Sequence, residues 1–270
     1  MRVRFWGVRG SVPWATPSSI GHGCNTPCIE IRDDQAREVL VLDAGSGIVG
    51  LGETLGSGPH AVPILLTHFH WDHLQGLPFF SPLYHINWGW ALTLWAPELG
   101  TVEMGWVDAL FQSPFFPVPF DRLPSRPAVK LVRPGAFAIR GFEMQALRLN
   151  HPGGSFAYRI RGAHGDLVYA TDHEFGDPAF DQPFAEFAAG AKAIVLDAHF
   201  TPEEIRAHKG WGHSDWRQCA EFARANKVGR LWLFHHKPGR TDMELTEIEE
   251  YARKIFPDTE AAGEGDTFEV

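Results

Sequence analysis

Cysteine is scarce in this chain: three in 270 residues, at Cys24, Cys28 and Cys219. An odd count with one Cys-x3-Cys spacing fits neither a disulfide framework nor a Cys-x2-Cys pair, so reduced, mostly buried thiols are expected. Long apolar runs are missing as well. No stretch approaches the roughly 18 residues that cross a bilayer, and the opening MRVRFWGVRG lacks the apolar core of a secretory signal. A cytoplasmic protein with no membrane partner is the expectation. Basic runs are equally short: no Lys/Arg run exceeds two residues, and the formal net charge is -9. A grip on long nucleic acid normally needs a basic stripe, so that class of partner is disfavoured. Internal repeats and low-complexity tracts are also lacking. Against these absences, 44% hydrophobic and 21% charged residues is an ordinary globular balance that argues against disorder.

Short β-rich runs dominate the first third: VRFWG, CIEIR, VLVLDAG and AVPILLTH, several ending in Gly, Asp or His. SGIVGLGETLG reads as a helix with Gly56 as its C-terminal cap, and LQGLPFFSPLY as a short helix broken by Pro78. Residues 85–127 change character, holding Trp88, Trp90, Trp95 and Trp106 among many prolines. Within them ALTLWA reads as a strand, followed by a helix opened by Pro97 and running to about Phe111. Strands resume with VKLVR, FAIR, FEMQALRLNH, SFAYRIR and DLVYATD, with a hairpin turn between Arg161 and Asp166. Then come a helix in DPAFDQPFAEFAAG, a strand in AKAIVLDAHF, a helix in SDWRQCAEFARANKV and a strand in RLWLFHH. A last helix lies in TDMELTEIEEYARKIF, with Thr241 or Asp242 as N-cap. Helices do not follow every strand, so two packed sheets with helices outside, an α/β (α+β) αββα sandwich, fit better than one doubly wound sheet. One domain over 1–270, with an aromatic-rich insert at about 85–127, is expected.

The densest chemistry is THFHWDH at 67–73. At a strand end His68 and His70 point the same way; Asp72 and His73 follow in the turn and can face elsewhere. Two ligand pairs with different aims suggest two adjacent ions, and imidazole with carboxylate suits Zn2+, Mn2+ or Fe. Four residues cannot complete two coordination spheres. Three further strand exits offer the rest: His151 in LRLNHPGG, Asp172 in LVYATDHE, and His235 or His236 in RLWLFHHKPG. His173 would point away from its neighbour Asp172, as a supporting or structural residue.

These motifs, with RFWGVRGSVP, GCNTPC, LDAGSG and DAHF…GHS, resemble the metallo-β-lactamase superfamily over nearly the whole chain. Within it they are similar to the phosphodiesterase branch, which includes tRNase Z, PhnP-type and small cyclic-nucleotide phosphodiesterases. The resemblance implies the four-layer αββα metallo-β-lactamase fold and two divalent ions per chain, Zn2+ first. Position by position, it implies that His68, His70 and His151 hold one ion, that Asp72, His73 and His235 hold the other, and that Asp172 bridges them. Choosing His235 over His236 rests on matching the family's step from strand to histidine. The sequence departs from the related pattern HHDP by placing Lys237 where an acid is expected.

In such a site a metal-bound hydroxide would attack phosphorus, and the leaving alkoxide needs a proton. His213 in GHS resembles the branch's HST histidine, and Asp197 in DAHF sits where its carboxylate partner belongs, so His213 and Asp197 are the expected general acid and its orienting group, with Asp72 beside the metals. Nothing resembles the long basic arm of the tRNA-processing members. Acidic charge and an aromatic insert favour a small nucleotide diester such as a cyclic nucleotide. Hydrolysis of an acyl bond (lactone or thioester), a polynucleotide nuclease and a non-enzymatic metal sensor are the alternatives. The insert is expected to cover the cleft and to join two subunits into a homodimer.

Overall fold

The computed structural model describes residues 1–33, 38–56, 61–85, 91–100 and 105–270. Along the chain run β1 (Arg2–Gly7), β2 (Cys28–Arg32), β3 (Val39–Leu42), α1 (Gly47–Thr54), β4 (Ala61–Leu65), β5 (Ala91–Pro97), α2 (Trp106–Leu110) and β6 (Ala128–Val132). The second half has β7 (Gly135–Ile139), β8 (Phe142–Leu149), β9 (Ser155–Gly162), β10 (Gly165–Ala170), α3 (Pro178–Ala188), β11 (Ala193–Asp197), α4 (Trp216–Ala225), β12 (Leu231–Phe234), α5 (Asp242–Arg253), β13 (Thr259–Ala261) and β14 (Thr267–Glu269).

Two seven-stranded sheets form, in the orders β14-β1-β2-β3-β4-β5-β6 and β13-β12-β11-β10-β9-β8-β7. Alternation sets the inner faces: β1 reads exposed to buried in turn, and its inward Val3 and Phe5 meet Trp232 and Phe234 from across the sandwich, with Phe268 beside them on the neighbouring β14. β3, β11 and β12 are buried on both faces, because helices cover the outer side of each sheet. The outer layer on the first sheet is α1, α2 and turns carrying Leu77, Phe80 and Leu83; on the second it is α3, α4 and α5, packed through Phe184, Trp216, Cys219 and Ile248. The αββα sandwich expected from the sequence is therefore present.

The last two helices begin where their sequences demand. Asp215 caps α4, and Thr241, not Asp242, caps α5; both form reciprocal capping boxes with the residue three positions on. Asp242 instead accepts from the Gly21 and His22 amides. All three cysteines are unpaired, with Cys28 and Cys219 buried.

Two local expectations need correction. Pro97 closes β5 and opens no helix; the described helix of that region is only Trp106–Leu110. Pro97 follows a strand already paired with β4 and β6, and that pairing overrides its helix-starting preference. Pro78 sits inside a 3-10 turn, Leu77–Phe79, and a second turn spans Ser81–Tyr84, so two tight turns replace one broken helix. The segment at 85–127 contributes β5 to the first sheet, and its Val107, Leu110, Phe111 and Phe120 fill that sheet's outer layer. Trp88 and Trp90 lie outside the described residues.

Candidate active site

The cluster sits where chain leaves the ends of β4, β8, β10 and β12. β4 stops at Leu65, yet side chains keep alternating beyond it. His68 is buried and its ring lies 4.6 Å from that of His70, while Phe69 turns the other way onto Trp106. Trp71–His73 then form one 3-10 turn that re-aims Asp72 and His73. Asp172 and His235 each follow a strand end with positive φ, 57° and 59°. Left-handed backbone is uncommon for such residues and costs on the order of 1–3 kcal/mol, a strain that recurs at functional sites.

His68, His70, His151 and Asp172 offer ligand atoms to one point, and Asp72, His73 and His235 to a second. Asp172 faces both. Its Oδ1 lies 3.8 Å from His68 Nε2 and 3.7 Å from His151 Nε2, while its Oδ2 lies 3.2 Å from His73 Nε2 and 3.5 Å from His235 Nε2. Asp72 Oδ2 is 3.1 Å from His235 Nε2 and 3.5 Å from His73 Nε2. Ligand atoms of a zinc tetrahedron stand roughly 3.3 Å apart, given Zn–N of about 2.0–2.1 Å. The seven residues named from the sequence thus come together at metal-ligand spacing. His236 does not join them: it is buried and bonds Ala262 O through Nε2.

The far nitrogens decide whether a cation would fit. His151 Nδ1 lies 2.8 Å from the Gly212 carbonyl, which can only accept, so the proton sits on Nδ1 and Nε2 keeps its lone pair. Gly212 has φ 85°, and a Cβ there would collide with the same His151 nitrogen. His73 Nδ1 is 2.9 Å from Asp43 Oδ2. His68 Nδ1 meets Thr67 Oγ1 at 3.0 Å, and that hydroxyl donates onward to Asp43. His68 Nε2 is left buried with no partner. Unpaired lone pairs gathered around two carboxylates are costly in a protein interior unless a cation binds them. The donor set fits divalent ions.

Electrostatics agree. Burial drives His68 well below its ordinary pKa and His151 down to about 4, so both are neutral ligands. His73 goes the other way: burial lowers it, but Asp72, Asp43 and Asp172 together raise it well above the usual value. A nest that holds a proton this tightly has surplus negative charge for a metal to neutralise.

Asp43 went unrecognised in the sequence. It is fully buried with φ 60° and accepts from the Thr67 amide and hydroxyl, His73 Nδ1 and Tyr169 Oη. The aspartate of LDAGSG organises two histidines, His73 directly and His68 through Thr67. GVRGS likewise spends a backbone donor internally: Ser11 N reaches Asp72 Oδ2 at 2.7 Å. Arg9 is fully buried and donates to the Gly23, Ser19 and Arg240 carbonyls, which holds the loop.

His213 precedes α4, and its Nδ1 lies 2.7 Å from Asp197 Oδ2 and 3.7 Å from Asp172 Oδ1. Burial would lower its pKa, but the charge and hydrogen bond of Asp197 win and lift it to about 9. Asp197 is itself fixed by the His199 amide at 3.0 Å and by its place at the end of β11. Glu174 accepts from the Gly210 and Gly212 amides and holds the loop that delivers His213. His173 lies on Phe175 and Phe184, away from the cluster, as a structural residue would. Lys237 pairs with Glu204 at 2.8 Å, so its charge meets a carboxylate before it meets the metal cluster.

A family model described as "Beta-lactamase superfamily domain" matches residues 38–236. Ribonuclease Z of Lacticaseibacillus casei (strain BL23) is 24% identical over 312 aligned positions, covering 96% of this chain and 92% of the relative. The crystal structure of the metallo-beta-lactamase fold protein YhfI from Bacillus subtilis superposes with a TM-score of 0.77 at 16% identity, over 100% of this chain and 98% of that one. A diphosphatase from the PhnP family superposes with a TM-score of 0.71 at 20% identity, over 99% and 97%.

Proposed function

Since the chain belongs to the beta-lactamase superfamily, we propose that it is a metal-dependent phosphoric diester hydrolase acting on a small nucleotide diester such as a cyclic nucleotide. The His213–Asp197 pair carries this reading. A β-lactam or lactone can open without a dedicated proton donor, whereas a sugar alkoxide leaving phosphorus needs one. Two divalent ions, Zn2+ or else Mn2+ or Fe, are proposed at His68, His70, His151 and at Asp72, His73, His235, with Asp172 between them. When bound, such a pair polarises the phosphoryl oxygen and acidifies water at neutral pH.

The protein's own part is to hold and to protonate. Asp197 keeps the His213 proton on Nδ1 and favours the charged ring, so Nε2–H can donate to the departing oxygen. Asp43 holds His73 directly and His68 through Thr67, fixing both rings before any ion arrives. Burial of Asp172 and His235 excludes competing water.

A second reading, a polynucleotide nuclease, is favoured by one observation: the Ribonuclease Z relative matches along 96% of this chain. The acidic balance of -9 speaks for the small substrate. We also infer a cytoplasmic homodimer joined through the aromatic segment, where Phe115 is exposed and Phe116 packs on the exposed Phe79 that precedes the segment. The test is metal analysis with hydrolysis of bis(p-nitrophenyl) phosphate, with and without chelator, then a panel of cyclic mononucleotides, cyclic dinucleotides and single-stranded RNA. Chelator-resistant or absent hydrolysis rejects the diesterase. Turnover of RNA alone selects the nuclease, and a monomer by light scattering at micromolar concentration removes the dimer.

A further inference from the structure

Beside His213 stands a second imidazole outside the seven-residue cluster, His199, whose ligand atom lies within 4.8 Å of those of Asp197, His213 and His235. His199 is 6% exposed, and its ring lies nearly parallel to His213, centroids 4.5 Å apart at 20°. It is held from every side. Its backbone amide donates to Asp197 Oδ1, Phe200 stands edge-on at 4.7 Å, and Phe200 bridges to Asp215 at the start of α4. Gly10 leaves the space the ring needs: a Cβ there would come within 2.9 Å of His199 Nδ1.

Its tautomer is fixed. Nδ1 lies 3.0 Å from the His235 carbonyl, and a carbonyl only accepts, so the proton is on Nδ1. Nε2 therefore carries a lone pair. Among the described residues it meets no protein donor, yet it is not sealed from solvent. A rigid ring with one nitrogen tied down and the other open costs conformational freedom that burial alone does not require.

We propose that His199 is a specificity-determining residue whose Nε2 accepts a hydrogen bond from a substrate hydroxyl next to the leaving oxygen, so that ribose is preferred over deoxyribose. The proposal rests on the diesterase reading and adds the sugar to it. His213 offers a donor and His199 an acceptor on two stacked, parallel rings. Vicinal oxygens of a ribose present the matching pair: the ester oxygen that must gain a proton, and the 2′-hydroxyl, which has one to give. A deoxyribose leaves the His199 lone pair without its donor, and a site built for a hydroxyl discriminates against substrates lacking it. The 2′-hydroxyl is the group by which proteins tell the two sugars apart.

The test compares metal-loaded wild type with His199→Asn, whose amide can still donate to the His235 carbonyl. Two substrate pairs serve: 3′,5′-cyclic AMP with its 2′-deoxy analogue, and a ribo with a deoxyribo dinucleotide. Binding of 5′-AMP against 5′-dAMP by calorimetry supplies a readout independent of turnover. We expect wild type to favour the ribose form about tenfold, the scale of one hydrogen bond, and the variant to lose that ratio. Bis(p-nitrophenyl) phosphate has no such hydroxyl, so expressing each ribose and deoxyribose rate relative to its turnover separates a lost hydrogen bond from a general loss of activity, with metal content measured in both proteins. Equal ribose-to-deoxyribose ratios in wild type and variant, in turnover and in binding alike, overturn the proposal. A wild type inert toward bis(p-nitrophenyl) phosphate would overturn the diesterase reading instead, and the binding ratio would still judge His199.

Discussion

Three side chains carry separable burdens in the cleft: His213 is the proposed proton donor, Asp172 faces both ligand groups, and Asp43 holds rings. Replacing His213 with Ala should leave metal content intact and lower kcat by ~10²–10⁴ on a poor leaving group. The loss should shrink when p-nitrophenolate leaves, since that anion needs little help. The sign in pH follows from Asp197 raising the pKa of His213: the donor is protonated below that value, so kcat falls as pH rises through it, and His213→Ala should lack this limb. Equal losses on good and poor leaving groups would refute the proton-donor role. Asp43→Asn keeps size but weakens the acceptor for His73 and Thr67. It should reduce metal affinity roughly 10- to 100-fold, the usual scale for groups that orient ligands, read by competition with a chromogenic chelator. Asp43 was hidden in the sequence because its partners are remote: Thr67, His73 and Tyr169 lie 24, 30 and 126 positions away. His68, His70, Asp72 and His73 were legible because they share six positions.

At the level of elements, the loop between β11 and α4 is tied to the turn after β12 by one carboxylate. Glu204 meets Lys237 at 2.8 Å and also pairs with Arg240. Burial raises its pKa, but hydrogen bonds from Lys237, the Thr201 amide and Arg240 outweigh this and hold it at about 2, against an ordinary 4.5. A depressed folded pKa stabilises the fold above pH 4.5 and ceases to do so as pH falls through about 2. Urea unfolding should therefore find Glu204→Gln less stable than wild type at pH 6, with the gap narrowing steadily toward pH 3. A gap independent of pH would mean the ion pairs contribute nothing. The strands and helices themselves were largely readable. β8 alternates cleanly and the capping boxes of α4 and α5 are local patterns. β13 and β14 escaped because three residues hold too little periodicity, and they exist only through pairing with β12 and β1. The helix expected from Pro97 failed for the same reason in reverse, since sheet pairing outweighed a local preference.

Across the whole molecule, the cluster draws on both sheets. His68, His70, Asp72 and His73 come from the chain after β4 in the first, and His151, Asp172 and His235 from strand ends of the second. Divalent metal bound there would fasten one sheet to the other, so the native state alone should bind it. Adding chelator should lower the melting temperature, and restoring metal at 100 times its dissociation constant should return about 2.7 kcal/mol for one site. No change in melting on chelation would show that the sandwich holds without its ions.

The strand order also leaves four edge strands among the described residues, β14 and β6 in one sheet and β13 and β7 in the other. β6 and β7 are neighbours in sequence, yet each ends its own sheet, so each shows a row of unpaired backbone groups among the described residues. β6 carries Lys130, and a charge on a rim discourages sideways addition of another chain. β7 reads Gly-Ala-Phe-Ala-Ile and has none. Crowded or partly unfolded chains should therefore stick first along β7, growing end to end like stacked tiles. Ala138→Lys, at an exposed position, should slow the rise of turbidity on heating while leaving phosphodiester hydrolysis untouched.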